Sequence, residues 1–361
     1  MGTNVIRNIQ ALRALAALAV VWHHLQTQMS LYLGMPHLGY VGRAGVDVFF
    51  VISGFIMFHT TRDGERATTD FWSDRIARIV PAYWLLTVFA AALFWFGLHP
   101  GDIKGLSATD VAEDMLFLPH FRADGDAYPV LDVGWTLNFE MFFYALFGLS
   151  FFLKSQGKSL AVLTGVFLLG AALVHLHAPL PNTVTALLQP ITLEFAAGGA
   201  LALLYPRAQA LSRTTAIGVG TAAFGVGLVV ILVGGALFGK DVSWNYELRA
   251  MIFGLPATLI VAGALMLETA NVTVQSRLLL LLGAASYSIY LVHHLAVQFM
   301  VRLAGGVSPH PSLPALLAEG AAIFAVAVLA GIAVHMWIEQ PASRWLRRRM
   351  HHRPVAAPVA G

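Results

Sequence analysis

Arg13 and His24 lie eleven residues apart in the run NIQALRALAALAVVWHHL. At 100° per residue that separation overshoots three helical turns by about 20°, so both side chains share one helix face, about 16 Å apart along the axis. A cation and an imidazole on one face of an otherwise apolar helix favour a functional role, since ionisable groups within a span usually face the bundle interior. The bland alternative is a snorkelling arginine and an interfacial histidine. His23 points about 100° away from that face. Arg75 and Arg78, in FWSDRIARIVPAYW, also share a face and offer two guanidinium groups to a polyanion, phosphate above all. The same pair at the end of an apolar run equally serves as a membrane anchor.

Two carboxylates fall inside apolar runs. Asp47, in VGRAGVDVFFVISGFIM, suits orienting an imidazole, pairing with an arginine or stabilising a helix N-terminus. Glycines 42, 45 and 54 around it permit close backbone approach or a break in the helix. Glu140, in VGWTLNFEMFFYALF, needs a partner at that depth. Tyr287, Tyr290 and His293 recur at i, i+3 and i+6 in GAASYSIYLVHHLAVQFM. They form a polar stripe that suits either a functional contact or a hydrogen-bonded helix–helix seam, and His294 falls on a different face. Glu339 lies just before Pro341, which stops or bends its helix. The pairs His23–His24, His293–His294 and His351–His352 are adjacent residues, a poor spacing for metal ligands on a helix. With Cys 0 there are no thiolate sites either, so no metal is expected. Walker, HExxH and G-x-S-x-G patterns are absent.

The elements that must position these groups follow from composition. The 361 residues are 58% hydrophobic and 11% charged, against about 25% charged in soluble domains. A water-soluble fold, a disordered chain and a fibrous one are thereby excluded, and an all-α polytopic membrane protein remains. Ten apolar runs are long enough to span, near 8–31, 44–61, 79–98, 134–153, 160–176, 184–204, 214–238, 249–267, 280–304 and 315–338. The first is too long for a signal-peptide core. With the N-terminus in the cytoplasm, Arg7, Arg62, Arg66, Arg75, Arg78, Lys154, Lys158, Arg207, Arg213, Arg277 and the Arg344–Arg353 cluster fall inside, while Arg43, Lys104, Arg122, Lys240 and Arg249 fall outside. That bias supports an even number of spans with both termini cytoplasmic. It also explains a formal net charge of +3 without nucleic-acid binding. The basic end is expected to touch anionic lipid. The acidic outer loop 99–133 reads as a solvated connector or a lid. One domain is expected over 1–345, followed by a basic, disordered cytoplasmic tail over 346–361.

Taken in order, Arg13 to His24, GVDVFFVISGF, the Arg75–Arg78 pair before PAYW, the W-T-L-x-x-E of 135–140 and SYSIYLVH at 286–293 resemble the acyltransferase-3 family of membrane O-acyltransferases. The likeness covers about 5–345 and is nearest the subgroup that acetylates bacterial exopolysaccharides. It implies a bundle of about ten spans in the inner membrane. It further implies transfer of an acetyl group from cytoplasmic acetyl-CoA to a hydroxyl of a polysaccharide or lipid-linked saccharide, beside polysaccharide-synthesis machinery. In the family's pattern His24 is the catalytic base and Arg75 and Arg78 are tied to acyl-CoA use. Glu140 and His293 match further positions of less settled role. Catalytic work is therefore expected of His24, Glu140 and Asp47, and donor binding of Arg13, Arg75, Arg78, Tyr287 and His293. A small acceptor such as a macrolide, or a non-enzymatic transporter, are the competing readings.

Overall fold

The computed structural model describes residues 5–33, 39–62, 68–98, 105–119, 129–243, 245–307 and 312–350. Among them every regular element is helical. The α-helices are α1 (Arg7–Leu33), α2 (Ala44–Thr60), α3 (Thr68–Trp95), α4 (Ala108–Met115), α5 (Trp135–Leu149), α6 (Gln156–His175), α7 (Asn182–Leu187), α8 (Leu193–Gln209), α9 (Arg213–Phe238), α10 (Tyr246–Arg249), α11 (Leu255–Thr269), α12 (Arg277–Ala284), α13 (Ser286–Val307), α14 (Leu313–Val334) and α15 (Gln340–Met350).

Among the described residues seven helical segments are long and apolar enough to cross a membrane, and the pair α12–α13, bent by 73° at its junction, makes an eighth if counted as one span. The chain is thus a multi-pass membrane protein. Two of the ten expected spans are not among these. The run 8–31 is helical as α1, but Arg13, His23 and His24 lower its hydropathy. The run 184–204 is broken by Pro190 into α7 and a 17-residue α8. Helix α15 carries the chain to Met350, through the first part of the segment expected to be unstructured, and His351–Gly361 lies outside the described residues. Within loop 99–133 the described residues include helix α4. Ser107 and Asp110 close a capping box on α4, and Asp114 accepts the Val130 N–H at 2.8 Å.

Helix α1 is the axis of the site, and its placement has identifiable causes. Its first amides are satisfied from another helix: the N–H groups of Arg7 and Asn8 donate to the two oxygens of Glu268, at 3.0 and 2.8 Å. A carboxylate there also complements the helix dipole. Along α1, Ile9, Leu12, Ala16 and Val20 join the aromatic core of α2, α3, α5 and α8, while Ala14, Ala17, Val21 and Leu25 join a second core with α13 and α14. Gly45 lets α2 approach closely, since a Cβ there would collide with the Ala16 carbonyl oxygen, and Gly54 does the same for α2 against Phe195 of α8. Close approach, and not a break in α2, is what these glycines permit. The outward faces of α6, α9 and α14 are apolar, as lipid requires.

Candidate active site

A cavity of about 790 Å³ opens among α1, α2, α3, α5 and α13, and Arg13, Arg75, Arg78 and Arg347 line it. Arg13 donates to Ser286 Oγ at 2.9 Å. The Arg75 guanidinium lies over the Tyr144 ring, 5.9 Å from its centre, and its buried Nε has no hydrogen-bond partner. An unsatisfied buried guanidinium nitrogen is costly unless a ligand meets it. Arg347, from α15, reaches Asp74 at 3.4 Å. From sequence Arg347 is a topology signal and a contact for anionic lipid. No spacing rule links it to Arg75 or Arg78, because the packing of α15 on α3, where Ser343 bonds the Ala77 carbonyl at 2.7 Å, brings them together.

Glu140 lines the same cavity. It accepts from Ser53 Oγ at 2.9 Å and from the Tyr144 hydroxyl at 2.5 Å. The structure therefore groups Glu140 with the arginines and not with His24. Tyr287 and Tyr290 also line the cavity. Tyr287 bonds the Ile79 carbonyl at 2.7 Å, and Tyr290 bonds Thr136 at 2.9 Å.

Beyond Tyr290 the stripe on α13 continues to His293, whose ring centre is 5.7 Å from that of Tyr290. Here the imidazoles converge. The His24 ring lies 5.0 Å from His23, 5.0 Å from His293 and 4.5 Å from His294. Arg13 and His24 thus face the same neighbour, α13, as their spacing predicts. His294 was expected to face elsewhere, yet it is the nearest of the three. Adjacent residues on α13 diverge by about 100°, and that angle lets His293 and His294 flank one ring instead of separating them. His294 Nδ1 pairs with Asp132 at 3.1 Å. Nothing in the sequence around Asp132 distinguishes it from the other acids of its loop. His23 does face away, with Nδ1 donating to the Gly39 carbonyl at 3.1 Å and Nε2 accepting from Arg43 at 3.0 Å.

Asp47 is fully buried and meets Arg249, with Nε and a terminal nitrogen donating to its two oxygens at 3.0 and 2.9 Å. Of the roles open to it from sequence, the structure shows the arginine pair. Arg249 is 5% exposed and lies over Trp135, so its side chain is buried within the bundle.

The arginine-lined cavity and the histidine cluster adjoin at Tyr290, which lines the one and packs against His293 of the other. Residues 6–338 match the acyltransferase domain family, and the chain belongs to this family, the acyltransferase-3 O-acyltransferases. The exopolysaccharide production protein ExoZ of Rhizobium meliloti (strain 1021) is 35% identical over 327 residues, 89% of this chain and 94% of that protein. Acyltransferase MdmB of Streptomyces mycarofaciens is 28% identical over 99% of this chain and 96% of its own. Peptidoglycan O-acetyltransferase OatA of Listeria monocytogenes serovar 1/2a is 27% identical over 56% of this chain and 34% of that protein. No solved structure matches the chain.

Proposed function

We propose that the protein moves an acetyl group from acetyl-CoA, taken from the cytoplasm, to a hydroxyl of an exported or cell-surface polysaccharide, across the inner membrane. The observation that carries this reading is the cavity itself. Four arginines line it, one with a buried, unpartnered Nε, and its far wall, Tyr290, touches the imidazole cluster. Arg75, Arg78 and Arg347 hold the phosphates of the nucleotide end, Arg13 lines the path of the pantetheine arm, and Glu140 acts at one remove by holding Tyr144 beneath Arg75. The names of ExoZ and OatA supply the acceptor class. The partners that follow are a polysaccharide or lipid-linked saccharide, surrounding lipid and the polysaccharide-synthesis machinery.

In this reading His24 is the general base. It takes the acceptor's hydroxyl proton, the oxygen attacks the thioester carbonyl, the C–S bond breaks, and His24 returns the proton to the sulfur. Asp47 supports the site by fixing Arg249 over Trp135. The test is mass analysis of surface polysaccharide from cells with the wild-type protein, without it, and with His24→Ala. The expected result is an acetyl group present only with the wild type. A His24→Ala protein that folds and still acetylates at the wild-type level refutes the base assignment, and unchanged polysaccharide in cells lacking the protein refutes the acceptor.

A further inference from the structure

Each of the three imidazoles around His24 has its Nδ1 committed. His23 Nδ1 meets the Gly39 carbonyl, His294 Nδ1 meets the Asp132 carboxylate, and His293 Nδ1 meets the carbonyls of Tyr290 and Ile289 at 2.6 and 3.1 Å. A carbonyl only accepts, so His293 Nδ1 carries the hydrogen and its Nε2 presents a lone pair. That Nε2 is buried and has no hydrogen-bond partner. The corresponding nitrogen of His23 is already used by Arg43. His24, in turn, makes no hydrogen bond within the protein among the described residues, and a neutral imidazole carries one N–H. The buried, unpartnered Nε2 of His293 thus sits on a ring whose centre is 5.0 Å from that of His24. The two rings are in contact but not hydrogen-bonded to each other, so a direct bond between them requires the His24 ring to reorient.

We infer that His293 is the positioning residue of His24: its Nε2 accepts the His24 N–H and so fixes the tautomer that leaves the other His24 nitrogen bare. A general base needs such a third group behind it, and here an imidazole fills the place that a carboxylate holds in a serine-protease triad. This rests on the reading of His24 as the base. The proton inventory is unchanged by it. The acceptor's proton moves to the bare nitrogen of His24 as the C–O bond forms and passes to the sulfur as the C–S bond breaks, while the N–H toward His293 stays in place. His293, expected from its position to bind the donor, then acts on the base.

The experiment measures kcat and KM for acetyl-CoA with purified protein in liposomes and isolated surface polysaccharide as acceptor. It compares wild type, His24→Ala, His293→Phe, His293→Gln and the double variant His24→Ala/His293→Phe. Phenylalanine keeps a ring and removes the acceptor, whereas glutamine keeps a carbonyl acceptor. His293→Phe is expected to lower kcat by about tenfold or more, with KM for acetyl-CoA within about twofold. His293→Gln recovers several-fold of that loss, and the double variant is no slower than His24→Ala alone. The inference is overturned if His293→Phe keeps kcat within about twofold of wild type, if its loss lies in KM, if glutamine is no better than phenylalanine, or if the losses multiply on the His24→Ala background. Stabilisation by CoA in a thermal melt reports folding of each variant. Where the phenylalanine protein shows none, His293→Leu against His293→Asn makes the same comparison at smaller volume. A fully active His24→Ala protein removes the base itself, whereas an inactive His24→Ala beside a fully active His293→Phe removes only the positioning.

Discussion

Loss of a guanidinium from the cavity should be felt by the donor and not by the chemistry. A hydrogen bond to a charged group contributes about 1.5–3 kcal/mol, so Arg75→Ala, Arg78→Ala and Arg347→Ala should each raise the dissociation constant of CoA by about ten- to a hundredfold. The check is titration of CoA into each variant, and an unchanged constant removes that arginine from the donor site. Arg348→Ala, one position along α15 and absent from the cavity lining, should change it little. At this scale the sequence carried Arg13, Arg75, Arg78, Tyr287 and His24 by residue type and helical spacing. It did not carry Arg347, Asp132 or His294, because each reaches the site from an element whose approach depends on packing.

Between elements, the buried pair of Asp47 on α2 and Arg249 on α10 makes a sharp test. Breaking a buried ion pair by removing one partner costs about 3–5 kcal/mol, whereas replacing both with apolar groups of similar volume is often neutral. Asp47→Ala should therefore lower the melting temperature markedly. The double variant Asp47→Leu/Arg249→Met should recover most of it, and a double-variant loss equal to the sum of the Asp47→Leu and Arg249→Met losses would show that the pair contributes no coupling. The N-terminus of α1 offers a milder case. Glu268 caps two of its amides, so Glu268→Ala should cost about 1–2 kcal/mol, read as a lower melting temperature. Helix positions themselves were legible from the length of the apolar runs. The break at Pro190 and the 73° bend between α12 and α13 were not, since both runs stay apolar through the break.

For the whole molecule, the proposed orientation puts the arginine end of the cavity in the cytoplasm. The absence of cysteine makes this directly measurable, because single introduced cysteines can be labelled without background. Lys158 and His175 sit at opposite ends of α6. In intact cells a membrane-impermeant maleimide should label His175→Cys and leave Lys158→Cys untouched until the membrane is opened, and the reverse pattern inverts the topology. Ligand linkage gives a second global readout. CoA at a hundredfold its dissociation constant should stabilise the folded protein by about 2.7 kcal/mol, visible as a higher melting temperature, and no shift at saturating CoA would leave the cavity without its proposed donor.

By itself the sequence determined that the chain is a helical membrane protein, which few polar groups lie within it, and which of them share a helix face. Those properties depend on hydropathy and on the 100° step of a helix, and both are local. Only the tertiary structure decided which faces meet. It joined Arg347 to Arg75 and Arg78, gave Asp47 to Arg249 rather than to an imidazole, placed Glu140 among the arginines, and set His293 and His294 on either side of His24. Such pairings depend on how closely helices pack, which glycines such as Gly45 and Gly54 and the cap from Glu268 govern through contacts far apart in the chain, and no periodicity within a single helix records them.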